Sequence, residues 1–144
     1  MRKQIHNFNN FLLKENTNKE VKFVKFSDNS YKLLLNGDVI GSTYLQDAKK
    51  SNMFKSILYL LPDQLKDKEV LGIAQLGLNN KYQDQGYGKI LMNNIIRIAK
   101  EQNYDVLVLS VSSENERAIK LYKNFNFETF RDGFAKYMFL DLKV

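Results

Sequence analysis

The spacing of apolar positions changes several times along this chain, and each change marks an element. Ile5, Phe8, Phe11 and Leu12 recur at helical spacing and predict a short N-terminal helix. Val21 to Phe26 reads as a strand. Tyr31 to Leu35 and Val39 to Leu45 flank Asn36-Gly37-Asp38, and an Asn-Gly pair tolerates the positive φ angles of a tight turn, so an antiparallel hairpin is expected. From Gln46 to Lys68, Met53, Phe54, Ile57, Leu58 and Leu61 follow a helical period that Pro62 would stop, with a short strand over residues 57–61 as the alternative.

The pattern sharpens further on. Val70 to Leu78 is a mostly apolar run of strand length, and Ile90, Leu91, Ile95, Ile96 and Ala99 trace one face of a helix ending near Lys100. Val106 to Val111 is nearly unbroken in apolar character, as a strand covered on both faces would be. Strand, helix and strand of these lengths predict a βαβ unit with parallel strands and a right-handed crossover. Ser113 and Glu116 have the spacing of a capping box for a second helix, and Asn124 and Asn126 suit its far end. Phe127 to Arg131 and Phe134 to Leu142 read as two final strands joined around Asp132-Gly133.

Composition narrows the class. At 144 residues with 44% apolar content and no internal repeat, a single domain over residues 1–144 is expected. The absence of cysteine excludes thiolate metal sites and disulfides and points to a reducing, cytoplasmic setting. No metal site is expected. The N-terminal stretch lacks the apolar run of a signal peptide, and no segment approaches the roughly 20 apolar residues of a membrane span. The net charge of +6 calls for an anionic partner, but the lysines are scattered, which disfavours a nucleic-acid footprint.

One loop carries candidate chemistry. Gln83-Asp84-Gln85-Gly86-Tyr87-Gly88-Lys89 lies between a strand and a helix. Glycine permits unusual backbone angles and close approach of a ligand, and the helix start offers unpaired N–H groups and a positive dipole end, so a diphosphate would fit. A plain tight turn before a helix is the competing reading. The dinucleotide fingerprint fails because Leu91 stands where its third glycine is required, and the nucleoside-triphosphate loop fails because Ile90 follows Gly88-Lys89. A second constellation follows: Asn115, Ala118, Leu121 and Tyr122, then Phe125 and Phe127. Asn115 and Tyr122 are two helical turns apart and share a face with Ala118; an amphipathic helix with a buried Tyr would show the same pattern.

Gln83-x-x-Gly86-x-Gly88 resembles the acetyl-CoA motif of the GNAT superfamily of N-acetyltransferases, and Asn115-x-x-Ala118-x-x-Leu121-Tyr122 resembles its second signature, with Asn126 where glycine is usual. The resemblance covers Val70 to about Phe130 well and the first 69 residues only in outline. It implies an α/β (α+β) fold: a mixed, mostly antiparallel sheet of about six or seven strands, flanked by helices, with a central parallel βαβ unit. It also implies transfer of an acetyl group from acetyl-CoA, as co-substrate, to a primary amine by direct attack. A catalytically inactive acyl-CoA-binding sensor of the same fold is the alternative.

The resemblance further implies roles for residues. Backbone groups of Leu76 and Leu78 would hold the pantetheine arm where the first parallel strand splays from its neighbour near Leu78. Gln83, Asp84, Gln85, Gly86, Tyr87, Gly88 and Lys89 would form the coenzyme-binding loop, with the backbone amides of Asp84 to Lys89 contacting the diphosphate, and Asn115 would contact the pantetheine arm. Tyr122 would protonate the departing sulfur, phenol and thiol having similarly high pKa values, about 10 for Tyr. No base is assigned. Gly72 and Ser110 stand where some relatives carry glutamate, leaving Glu69, Glu114, Glu128 and Asp132 as candidates. Gln46 to Lys68 would cover the acceptor side. His6, Lys120 and Lys123 read as surface residues, and Phe134, Tyr137 and Phe139 as sheet residues. The acceptor amine stays unidentified, and a monomer or homodimer is expected.

Overall fold

The computed structural model describes residues 11–12 and 20–143. Eight strands form one sheet in the order β1-β2-β3-β4-β5-β6-β8-β7. The strands are β1 (Phe11–Leu12), β2 (Glu20–Lys25), β3 (Ser30–Leu35), β4 (Asp38–Asp47), β5 (Val70–Leu78), β6 (Val106–Ser112), β7 (Glu128–Arg131) and β8 (Ala135–Asp141). Among the described residues three helices accompany them, α1 (Lys55–Tyr59), α2 (Tyr87–Glu101) and α3 (Glu116–Asn124). The chain divides into two compact units, Met1–Tyr44 with Gln75–Ile95 and Leu45–Ala74 with Ile96–Val144, so β5 contributes to both.

In the first unit the hairpin turn is as its sequence requires. Asn36 (φ 52°) and Gly37 (φ 90°) both adopt left-handed geometry and Leu35 pairs with Asp38. A bulge not foreseen from the sequence follows: Leu34 pairs with Val39 but Leu33 with Gly41, leaving Ile40 as an extra residue. The bulge seats the end of β5, because the Asn79 N–H donates to the Ile40 carbonyl at 2.8 Å. Gly41 eases the approach there; a Cβ would lie a tight 3.1 Å from the Gly77 carbonyl oxygen. Phe23 stacks on Tyr31 at 5.3 Å, and Val21, Leu33, Leu35, Tyr87, Leu91, Met92 and Ile95 are buried. Of the expected N-terminal helix, Ile5 and Phe8 lie outside the described residues. Phe11 and Leu12 are strand, pairing antiparallel with Val21 and Glu20. Free backbone groups along β2 outweigh helical spacing at those two positions. This two-residue strand also raises the sheet from the expected six or seven strands to eight.

In the second unit, Val70–Ile73 of β5 run parallel to Val106–Leu109 of β6, and β6 runs antiparallel to β8, which pairs with the edge strand β7. The segment before β5 is helical rather than strand-like. Short 3-10 turns at Ala48–Lys50, Asn52–Phe54 and Asp63–Leu65 surround α1, which ends before Pro62. Its apolar side is core: Ala48, Phe54, Ile57, Leu61 and Leu65 pack with Val70, Val106, Val108 and Phe139. Met53, expected on that side, is exposed, since the 3-10 turn rotates it away from the helical stripe.

Candidate active site

The glycine loop of the first unit turns through left-handed backbone angles before α2. Asp84 (φ 63°) and Gly86 (φ 92°) take left-handed angles, and a Cβ at Gly86 would meet nothing within 4 Å, so conformation rather than crowding calls for glycine. The Gly86 carbonyl accepts the Ile90 N–H at 3.3 Å and so opens α2. In that first turn the N–H groups of Tyr87, Gly88 and Lys89 lie too early in the helix to find a carbonyl four residues back, and they point along the positive end of its dipole. The Tyr87 ring is buried, edge-on to Tyr82 at 6.0 Å, so this residue offers only its backbone to a ligand. Lys89 and Gln85 are exposed, and the Gln85 amide donates to the Lys81 carbonyl at 3.0 Å.

The end of β5 is prepared differently. Its ladder with β6 stops at Ile73↔Leu109, five residues before the expected splay at Leu78. Because Asn79 bonds toward β4, strand alternation directs the N–H and C=O of Leu76 and Leu78 away from β4. Thr43, only 1% exposed, donates its hydroxyl to the Gln75 carbonyl at 2.8 Å and ties this half of β5 to β4. Sequence reasoning missed Thr43, although a polar residue between the inward positions Gly41 and Leu45 was a signal. The Gln83 side chain turns back onto the strand end. Its Nε2 donates to the Leu78 carbonyl at 3.2 Å and to Asn80 Oδ1 at 3.1 Å.

Asn115 and Tyr122 belong to the second unit. Asn115, not Ser113, caps α3: its Oδ1 accepts the Ala118 N–H at 3.2 Å. Ser113 is drawn off to the β7–β8 connection, where its hydroxyl donates to the Gly133 carbonyl and its N–H to the Phe134 carbonyl. The expected capping box is therefore absent, because the tertiary bonds to the hairpin satisfy Ser113 first. The helix end follows the sequence. Asn126 (φ 73°) takes the left-handed position, its N–H donates to the Lys123 carbonyl at 2.9 Å, and the Phe127 N–H donates to the Tyr122 carbonyl at 3.0 Å. This double bond pattern is a Schellman motif, completed by Phe127 packing on the Tyr122 ring at 5.6 Å. Tyr122 is 6% exposed, and burial alone pushes its phenol up to about 12. It keeps its proton throughout the neutral range.

The base candidates are occupied or exposed. Glu69 reaches Lys49 at 3.5 Å, Asp132 pairs with Lys136 at 2.8 Å, and Glu114 and Glu128 are exposed. Gly72 is a packing residue. A Cβ there would stand 2.4 to 2.7 Å from three ring carbons of Phe54, so no carboxylate could occupy this position. Ser110 is exposed on β6, opposite Tyr137 of β8. Among the described residues no group of three His, Cys, Asp or Glu side chains could hold a metal ion, and no helix is long and apolar enough to cross a membrane.

Comparison with known proteins gives three kinds of match. The description "Acetyltransferase (GNAT) family" fits residues 8–127. An uncharacterized N-acetyltransferase of Dictyostelium discoideum is 34% identical over 62 residues, 43% of this chain and 29% of that protein. The chain spans about a third of the length of the curated relatives it matches. Among solved structures, the ribosomal-protein-S18-alanine N-acetyltransferase of Escherichia coli superposes with a TM-score of 0.59 at 20% identity, covering 81% of this chain and 72% of that one. The PaiA N-acetyltransferase of Thermoplasma acidophilum, solved in complex with coenzyme A, gives 0.59 at 17% identity, covering 78% and 59%. At these identities the likeness is one of fold.

Proposed function

Since this chain belongs to the acetyltransferase (GNAT) family, we propose that it transfers an acetyl group from acetyl-CoA to a primary amine by direct attack. The observation that carries the reading is the pairing of a left-handed Gly86 turn, opening α2, with strand groups at Leu76 and Leu78 that lie outside the β5–β6 ladder. The fit to coenzyme A is one of donor chemistry. First-turn amides of Tyr87, Gly88 and Lys89 suit a diphosphate, and the backbone groups of Leu76 with the N–H of Leu78 suit the amides of a pantetheine arm.

Acetyl-CoA supplies the activated acetyl group. The amine nitrogen would form the new C–N bond as the C–S bond breaks; the sulfur would take the Tyr122 phenolic proton, the nitrogen would lose its proton to water, and the tyrosinate would regain a proton from solvent, restoring the phenol. The N–H of Leu78 would polarise the thioester carbonyl, an effect often worth about 3 kcal/mol per donor. Burial of Tyr122 alters the expected proton match. A phenol near 12 stands roughly 3.5 pK units above an ordinary thiol of about 8.5, so full transfer to a free thiolate costs about 5 kcal/mol. Tyr122 thus acts best by hydrogen-bonding the sulfur as charge develops and yielding its proton late. The cap bond of Asn115 leaves its amide N–H₂ as the group for the coenzyme. The absence of cysteine agrees with direct attack and with a cytoplasmic setting.

Free thiol released from acetyl-CoA, followed with Ellman's reagent across a panel of amines, tests this. Release with at least one amine supports turnover. Acyl-CoA binding without release across the panel would favour the sensor reading, and neither binding nor release would remove both.

A further inference from the structure

We propose that Gln83 is a positioning residue that couples the two halves of the coenzyme site, and that its side chain contributes to affinity without touching the diphosphate. This rests on the acetyl-CoA reading above and deepens it. The amide of Gln83 has two N–H donors, and both are committed: one to the Leu78 carbonyl at 3.2 Å, the other to Asn80 Oδ1 at 3.1 Å. The first bond ties the last residue of β5 to the residue five positions on, where the glycine loop begins. The second ties the loop to the intervening 3-10 turn, Asn80–Tyr82.

The turn is itself braced. The Asn79 side chain accepts the Lys81 N–H at 3.3 Å, the Tyr82 N–H donates to the Asn79 carbonyl at 2.9 Å, and the Gln85 amide holds the Lys81 carbonyl at 3.0 Å. Strand end, turn and loop form one closed hydrogen-bonded ring. The bond to the Leu78 carbonyl lies on the side of β5 that faces away from β4, the side to which the backbone groups of Leu76 and Leu78 are directed. Gln83 therefore fixes the spacing between two sets of groups, the strand amides and the first turn of α2. A ligand long enough to use both sets gains from a spacing set in advance; a ligand that uses only one set does not.

The chemistry needed at position 83 is a donor on a long side chain. Arginine can supply it, methionine has the length without the donor, and glutamate presents only acceptors to the Leu78 carbonyl. The experiment measures the affinity of Q83E, Q83M and Q83R by calorimetry for two probes: coenzyme A, which spans both sets, and 3′-phospho-ADP, which carries the diphosphate alone. Thermal midpoints report folding. We expect Q83E and Q83M to bind coenzyme A about tenfold more weakly or worse, the equivalent of one lost hydrogen bond. Their affinity for 3′-phospho-ADP should stay within about twofold of the parent, and Q83R should recover coenzyme A binding to within about threefold.

Unchanged coenzyme A affinity in Q83E and Q83M would overturn the proposal. Equal losses for both probes would do so too, because they would mean direct contact with the diphosphate or a collapsed loop. A parent protein that binds neither probe would instead strike the acetyl-CoA reading itself, and the coupling role with it.

Discussion

Replacing Gly72 by alanine tests how the segment before β5 is locked to the sheet. The new Cβ would sit 2.4 Å from Phe54 Cε2, 2.5 Å from Cζ and 2.7 Å from Cδ2, where ordinary contacts are 3.4–4 Å. Phe54 is 2% exposed and belongs to the cluster with Val70, Val106 and Val108, so its ring can move only by displacing packed neighbours. Overpacking of this kind costs about 2 kcal/mol. For 144 residues, an unfolding entropy of about 0.3 kcal/mol/K converts that into a midpoint lowered by about 6–7 °C. Phe54→Ala alone removes a buried ring and should cost about 3–5 kcal/mol. In the double variant the clash is gone, so the combined loss should fall short of the summed single losses by about 1–2 kcal/mol. Urea unfolding of the four proteins, with slopes compared, measures all three quantities. Strict additivity, or a Gly72→Ala protein as stable as the parent, would refute the lock.

Further outcomes follow from the same structure. Tyr122→Phe should lower kcat by about 100-fold, within the usual range for a general acid, and leave coenzyme A affinity within twofold; steady-state kinetics beside calorimetry would show it, and unchanged kcat would end the role. Alkali should destabilise the fold. Tyr122 ionises near 12 when folded against about 10 when unfolded, so its contribution is intact below pH 10 and is lost as pH rises toward 12, by up to about 3 kcal/mol. Tyr104, raised to about 12 by burial and by its bond to Asp47 at 3.0 Å, acts in the same direction. Stability of Tyr122→Phe measured from pH 9 to 11.5 should be flatter than the parent's; parallel curves would contradict this. Asn115→Asp keeps the cap oxygen and should hold stability within about 0.5 kcal/mol, whereas Asn115→Ala should lose about 1 kcal/mol. If Asn115→Asp also kept full coenzyme A affinity, Asn115 would be a cap only.

Local chemistry was the legible part of this sequence. The Asn36-Gly37 turn, the bounds of β5 and the left-handed Asn126 each follow from residues within a few positions, because φ preference and apolar run length are local properties. What depended on distant partners was not legible. Ser113 has the spacing of a cap, but Gly133 and Phe134 claim its groups, and Phe11 has helical spacing, but β2 offers it a ladder. The bulge at Ile40 and the fit of Phe54 over Gly72 involve residues whose types are unremarkable and whose meaning lies in their neighbours. Position 83 shows both sides: the motif pointed to it, but only the fold shows that its side chain is spent on Leu78.

The most direct test of an anion grip at the start of α2 is a titration of the ¹⁵N-labelled protein with coenzyme A, followed amide by amide. Large, saturating shifts at Tyr87, Gly88 and Lys89, with Leu76 and Leu78 moving at the same ligand concentration, are expected. Saturation with those amides unmoved, or no shifts at millimolar coenzyme A, would contradict it.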